Sequence, residues 1–325
     1  MSGRTPYPTG FSTGITVRGL PLSVSHPGEI FYVNNSTVLA KGGVGGSNGN
    51  PGTYAKPFST IDYAIGRCTA GRGDIIMVMP GHAENITAAA GITLDVNGVA
   101  IIGLGSGNLR PTLTYTTANT ATLSWTADYC TMKNIRFVGN FLSIATAIIN
   151  SGGRDWTVED CDFSDTSAVL GFLACVTTTV STNSDNGYFG NCTRSSDATT
   201  TPGTAIKVAN TTNRLTIKKN AFWHSVIEEN IAVILDHGAL VVDELLIEDN
   251  TVYSINIAQT TEGFLVKTSA ITGSGIIRNN LVRSQDPSAT IMVTAGAVQY
   301  GMFNNYHTGE TTLLSGFLLP AAGAD

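Results

Sequence analysis

Acidic and basic residues recur in short pairs along this chain, as Glu159-Asp160, Lys218-Lys219 and Glu248-Asp249. Glycoside hydrolysis needs two carboxylates on one face, about 5 to 9 Å apart, so Glu159 and Glu248 are the first candidates for a general acid and base. Asp160, Asp162 and Asp165, with Arg194 farther on, make a looser group of the kind that could hold calcium beside a base. His82, after Pro80-Gly81, and His224, after Phe222-Trp223, read as surface or turn histidines. Trp125, Trp156 and Trp223 could stack on sugar rings, but their wide spacing reads as packing. The charge pairs alternate in sign, which suits a solvated edge where neighbouring strands offset one another. No residue is therefore assigned as catalytic.

The elements that would carry these pairs repeat. A six-residue pattern returns as Met132-Lys-Asn-Ile135-Arg-Phe137, Val158-Glu-Asp-Cys161-Asp-Phe163, Tyr188-Phe-Gly-Asn191-Cys-Thr193, Ile217-Lys-Lys-Asn220-Ala-Phe222, Ile247-Glu-Asp-Asn250-Thr-Val252, Ile277-Arg-Asn-Asn280-Leu-Val282 and Met302-Phe-Asn-Asn305-Tyr-His307. Its fourth position advances by 25 to 30 residues each time, a period that means stacked supersecondary units. Short runs of Val, Ile, Thr and Phe lie between Gly, Asn, Ser and Asp clusters, and no sustained helical period appears between residues 90 and 310. Such strands can pair only with their counterparts one coil up and down. The expected fold is all-β, a single-stranded parallel β-helix with coils about 4.8 Å apart.

Asn at the repeated corner tolerates a left-handed conformation, and in register its side chains would stack and hydrogen-bond along the axis. Asn191, Asn220, Asn250, Asn280 and Asn305 are the expected ladder, with Ile135 and Cys161 in the same slot of earlier coils.

Composition bounds the function. Charged residues are 13% of the chain, net charge is −6, and no Lys/Arg cluster occurs, which argues against direct nucleic-acid binding. No apolar run reaches the length of a membrane span. The N-terminus, with lone Arg4 and no apolar stretch after it, lacks the pattern of a secretion signal. Five scattered cysteines without ligand spacing read as reduced core fillers, and neither a metal nor a cofactor is expected.

Three segments are expected. Residues 1–55 form an extended Pro/Gly-rich arm with one plausible strand, Ile30–Val33, that gains order by lying on its own β-helix or on a partner. Residues 56–310 form the β-helix, and the apolar residues 311–325 cover its far end or lie between subunits. Near its start, Pro57-Phe-Ser-Thr-Ile-Asp-Tyr-Ala-Ile65 predicts a short amphipathic helix capped by Ser59, with Phe58, Ile61, Ala64 and Ile65 closing the open end of the stack. Gly73-Asp-Ile-Ile-Met-Val-Met-Pro-Gly81 follows as a strand.

That helix and strand resemble the start of pectin-lyase-like right-handed β-helices, and with the coils the resemblance covers residues 56–310. It implies a right-handed parallel β-helix with an N-terminal capping helix. It leaves activity open, because the superfamily contains lyases, glycosidases, esterases, phage tailspikes and structural proteins. A polygalacturonase-like site would need an Asn-x-Asp, a paired Asp, a Gly-His-Gly and an Arg-x-Lys; this chain has His237-Gly238 after Asp236 and no Arg-x-Lys.

The arm, the reduced cysteines and the low-charge polar surface resemble the phage tailspike-like branch. The resemblance implies a homotrimeric structural virion protein of a tailed phage, assembled in the host cytoplasm. A capsid-decorating (cement) protein bound to the major capsid protein is the leading expectation, with Thr-rich faces at 112–126 and 177–182 free for subunit contacts. The alternatives are a tailspike that binds or cleaves host surface polysaccharide, and a non-catalytic glycan-binding adhesin.

Overall fold

Alternation of apolar and polar residues in runs of three to five folds this chain into short strands, one face in and one face out. The computed structural model describes residues 28–37, 42–179, 184–196, 203–224, 233–254, 265–268, 273–284 and 299–309, with the backbone of 16–17, 20–21 and 319–320. These residues form an all-β parallel β-helix of three sheets, two of ten strands and one of seven. The first sheet runs from Ile30–Val33 to Gln299–Phe303, the second from Ala83–Ile86 to Tyr306–Gly309, and the third from Ile92–Leu94 to Val266–Thr268. Within each, every strand pairs in parallel with its counterpart in the next coil, save Leu319–Pro320, which lies antiparallel on Tyr306–His307. Thr16–Val17 and Leu20–Pro21 pair antiparallel with each other.

Inward positions stack by residue type. Ile76, Ile101, Met132, Val158, Phe189, Ile217, Ile247 and Ile277 follow one another down the first sheet. Leu113, Phe137, Phe163, Arg194, Phe222, Val252 and Val282 do so down the second. Phe137 and Phe163 lie parallel with centroids 4.6 Å apart. Each apolar side chain of these stacks contributes about 1.5 to 3 kcal/mol by leaving water, so the coils are held mainly by this continuous core. Trp125 and Trp156 belong to it, fully buried and edge to face; Trp223 instead faces outward, 51% exposed.

The N-terminal end is closed by helix α1, Ile61–Ile65. Its Ile61, Ala64 and Ile65, with Phe58, are buried, and α1 lies against the strands 30–33, 75–78 and 92–94. The cap residue is Thr60, whose side chain accepts from the N–H of Tyr63. Ser59 is not the cap, because its N–H and hydroxyl both bond Asn48 Oδ1, at 3.1 and 2.8 Å.

The boundary expected at residue 56 also moves. Ile30–Val33 pairs in parallel with Ile75–Val78 as the terminal strand of the first sheet, so the stack begins before the helix. Asp74, fully buried, fastens it by accepting from the N–H groups of Glu29 (2.8 Å) and Thr69 (2.7 Å) and from Arg72 Nε (2.7 Å) and Nη2 (2.8 Å). Most of the arm, residues 180–182 of the second Thr-rich face and most of 311–325 lie outside the described residues.

At the corner between the first and second sheets, the left-handed residue is the one before the ladder slot. Asn134, Asp160, Asn191, Lys219, Asp249, Asn279 and Asn304 all have φ between 49° and 56°. The slot after them holds Ile135, Cys161, Cys192, Asn220, Asn250, Asn280 and Asn305, all buried. Asn191 is therefore not a ladder residue. It is exposed and donates to Glu159 Oε1 at 3.2 Å, and Cys192 takes the slot. The ladder begins at Asn220. Asn220, Asn250 and Asn280 each donate from Nδ2 to Oδ1 of the next member at 2.9 Å, and that same Oδ1 accepts from their backbone N–H at 3.0 to 3.1 Å.

Candidate functional site

The first member of each charge pair lies on the outward face of the first sheet, where one column reads Lys133, Glu159, Gly190, Lys218, Glu248, Arg278 and Phe303, and the second lies at the corner that follows. Lys133 Nζ bonds Glu159 at 2.8 Å and Asp160 at 3.0 Å, and these bonds hold its ammonium above the usual lysine range. Glu248 is clamped by Lys218 Nζ at 2.7 Å and Arg278 Nη2 at 2.6 Å. The Lys218 bond, chiefly, holds the Glu248 carboxyl below the ordinary glutamate range. Between the two clusters the Tyr188 ring covers Gly190, where a Cβ would collide with it. Glu159 and Glu248 thus sit in separate ion clusters three coils apart, each bonded to a cation, and the Glu248 carboxyl is held below its ordinary range. A general acid needs the opposite, a pKa raised toward neutrality.

The acidic group near Arg194 also separates. Asp160 bonds Lys133, Asp162 bonds Arg136 at 2.9 Å, and Asp165 points into the core. Arg194 occupies the inward stack of the second sheet between Phe163 and Phe222. There its Nη2 donates to Phe172 O at 2.9 Å, its Nη1 to Cys175 Sγ at 3.2 Å, and Asp165 Oδ2 lies 3.9 Å away. Burial pushes the Cys175 thiol up to about 11, so it is not a thiolate nucleophile at neutral pH. Among the described residues no group of three or more His, Cys, Asp or Glu could hold a metal ion.

Two histidines are structural ties. His82, expected at the surface, is buried: Nδ1 accepts from the N–H of Asn35 at 3.2 Å and Nε2 lies 3.1 Å from Glu84 Oε2. Glu84 in turn accepts from the first N–H of α1, at Ile61. His237 is likewise buried. The side chain of His224 lies outside the description.

The sequence reasoning missed a recess beside the left-handed corners. From Asn134 onward this corner takes two residues, but between Gly103 and Thr112 the chain makes a longer excursion through the 3-10 turn Gly107–Leu109. The excursion folds back on Gly81, whose N–H donates to Leu109 O. It leaves a groove of about 410 Å³ lined by Ile102, Gly103, Arg110, Lys133, Asn134, Asp160, Cys161, Asn191 and Thr193. Arg110 Nε is buried there without a hydrogen-bond partner. The signal available in the sequence was the Gly-rich run Gly103-Leu-Gly-Ser-Gly-Asn-Leu-Arg110 standing where the corner motif should be.

A second outward feature lies at the far end. Ile276, Leu281, Phe303 and Tyr306 are 39 to 57% exposed. Leu281 and Tyr306 are paired neighbours, and the Phe303 ring leans over Gly301, the partner of Ile276. Polar and charged columns thus give way to apolar ones toward the C-terminal coils.

No family model matches the chain, and no curated protein matches it. Among solved structures, a rhamnogalacturonan lyase superposes with a TM-score of 0.50 at 14% identity, over 79% of this chain and 69% of that one. Pectate lyase Pel9A gives 0.46 at 12% identity, over 91% and 82%. A pectin methylesterase from Aspergillus niger gives 0.44 at 15% identity, over 89% and 88%. What the chain shares with the rhamnogalacturonan lyase is its architecture, a parallel β-helix.

Proposed function

We propose that this chain is a non-catalytic structural protein of a tailed-phage virion, a homotrimer that decorates and stabilises the capsid. The observation that carries the reading is the state of its outward carboxylates. Glu159 and Glu248, the residues placed best for chemistry, are each neutralised by a cation of an adjoining coil, as befits a rigid surface. The apolar end formed by Ile276, Leu281, Phe303 and Tyr306 supports an assembly role, because clustered exposed apolar residues mark contact sites on other macromolecules. Low overall charge suits broad polar contact with copies of itself and with a shell protein.

Cryo-electron microscopy of the parent particle tests this reading directly. Density for the β-helix on the head, in trimers, is the expected result. Copies at the tail, with release of saccharide fragments from host polysaccharide by the purified protein, would establish the tailspike reading in its place. Binding of glycan at the tail without cleavage would establish an adhesin.

A further inference from the structure

We infer that a charge-free face centred on Leu142, Val169 and Leu173 is the surface through which copies of this chain meet one another. The existence of copies rests on the homotrimer proposed above, and the geometry supplies the face.

Charge is absent from this side of the β-helix over three consecutive coils. Residues 111–127, 137–153 and 166–184 contain no Asp, Glu, Lys, Arg or His, and the stretches stack in register. Ser124, Ile149 and Thr177 form one outward column of the third sheet, and at the corner before it Leu142 bridges Leu170 and Ile144 bridges Phe172. Charge returns to the column at Lys207, the partner of Thr177 in the next coil. The other sheets differ, for the first carries the ion column and the second pairs Arg136 with Asp162. At the middle of the uncharged face stand Leu142, 53% exposed, Val169, 44%, and Leu173, 37%.

The segments that carry these side chains are held in one shape. Gly171 N–H donates to Phe141 O at 3.1 Å, Ile144 N–H to Gly171 O at 2.9 Å and Leu173 N–H to Ile144 O at 2.8 Å, so the two corners are stitched backbone to backbone. Beneath them Asp165 Oδ1 accepts from the Phe172 N–H at 3.0 Å, and Arg194 Nη2 donates to Phe172 O at 2.9 Å. Both of these charged side chains are buried, and Gly171 lies so close to Asp165 that a Cβ would collide with it. A surface fixed beforehand has little freedom left to lose when it is covered.

The absence of charge selects the occupant. Copies arranged about a rotation axis parallel to the β-helix stand coil against coil, so side chains near the axis approach their own equivalents. A charged face would there confront itself, which is destabilising; an uncharged face with an aliphatic centre would not. Depletion of charge around an apolar centre is also what sets contacts between copies apart from the remaining surface. A sugar polymer suits the face poorly, because Tyr115, Trp125 and Phe172 are buried and Phe141 packs against the core.

The test is the mass of the purified full chain, measured by size-exclusion chromatography with light scattering over a dilution series. Wild type should run as a multiple of 34.0 kDa, three copies if the homotrimer is right. Val169→Asp and Leu142→Asp change exposed side chains, so both should keep the wild-type circular dichroism while self-association weakens by about tenfold or more. Leu281→Asp, on the outward face of the second sheet, should leave the mass unchanged. Mixing Val169→Asp with Val169→Lys should restore the assembled mass, since opposite charges then meet. A wild-type monomer at every concentration would overturn the inference, as would folded Val169→Asp and Leu142→Asp that assemble like wild type, or dissociation by Leu281→Asp alone. A mixture that stays monomeric would overturn the coil-against-coil arrangement. Absence of the protein from virion heads would sink the proposed location while leaving this mass measurement standing.

Discussion

Tyr300 places its hydroxyl 3.1 Å from Nε2 of His237, spanning a coil to do so. The intervening coil carries Gly275 at the position paired with Tyr300, where a Cβ would collide with Leu245 O. His237 Nδ1 lies 2.7 Å from Leu240 O and so must donate to it. Burial pushes the pKa of the ring below the usual histidine value, so at neutral pH it is uncharged and Nε2 accepts the tyrosine proton.

Acid should accordingly loosen the C-terminal coils. The unfolded chain takes up a proton at His237 near pH 6.5, but the folded chain resists it to lower pH, so stability falls as pH drops below about 6.5. Urea denaturation between pH 7.5 and 5 should show this loss. Tyr300→Phe leaves Nε2 unmet and should destabilise by about 1 to 3 kcal/mol at pH 7.5. An unchanged midpoint in that variant would refute the tie.

The register of the ladder predicts opposite outcomes at two asparagines. Asn250→Ala orphans the N–H and Nδ2 of Asn220, Ile217 O and the Asn280 amide oxygen's side-chain donor bond, and should destabilise by about 3 kcal/mol or more. Asn191→Gly removes one exposed bond and eases a left-handed residue, so its effect should stay within about 0.5 kcal/mol. Comparable losses from the two substitutions in thermal melts would contradict the placement of Asn191 outside the ladder.

Glu248→Gln should lower stability at neutral pH and flatten the acid limb of the pH profile. The folded carboxyl titrates below its unfolded value, so its contribution is present above about pH 4.3 and disappears as pH falls through the folded pKa. Glycan cleavage that is present in wild type and vanishes in folded Glu248→Gln would argue for catalysis.

Asp74→Ala should release the first strand of the stack. Four donors converge on that buried carboxylate. Burial pushes its pKa up but is outweighed by the Arg72 bond and the two backbone N–H groups, so it titrates below the usual aspartate range. The substitution should cost about 2 to 4 kcal/mol, with amide exchange accelerated first at Ile30–Val33. Exchange that rises uniformly instead would mean that this strand is held by its pairing alone.

Periodicity made the fold legible. Strands of three to five residues at a spacing near 30 can satisfy their backbone only against neighbouring coils, and the corner motif located those that flank it in the first two sheets from Thr131 onward, but not the strands of the third sheet. The same motif misplaced Asn191 by one position, because Asn serves two adjacent roles at this corner: the left-handed turn and the buried ladder. A single Asn followed by Cys192 cannot say which role it fills; hydrogen bonding decides. Arg194 was equally opaque. Its neighbours in the stack are Phe163 and Phe222, and only three-dimensional register reveals that the arginine shares their inward column. The recess at Arg110 was hidden for a different reason, since a search for the repeat passes over the early coils whose corners depart from it.

The ladder from Asn220 to Asn305 has a direction. Every member receives at its oxygen from the coil before, and Asn220, Asn250 and Asn280 also give from their nitrogen to the coil after, so successive amides of the row polarise one another. An interior substitution would divide one aligned row into two shorter ones, whereas loss of Asn305 would trim its end. Position along the axis, more than residue type, would then set how strongly each asparagine is missed.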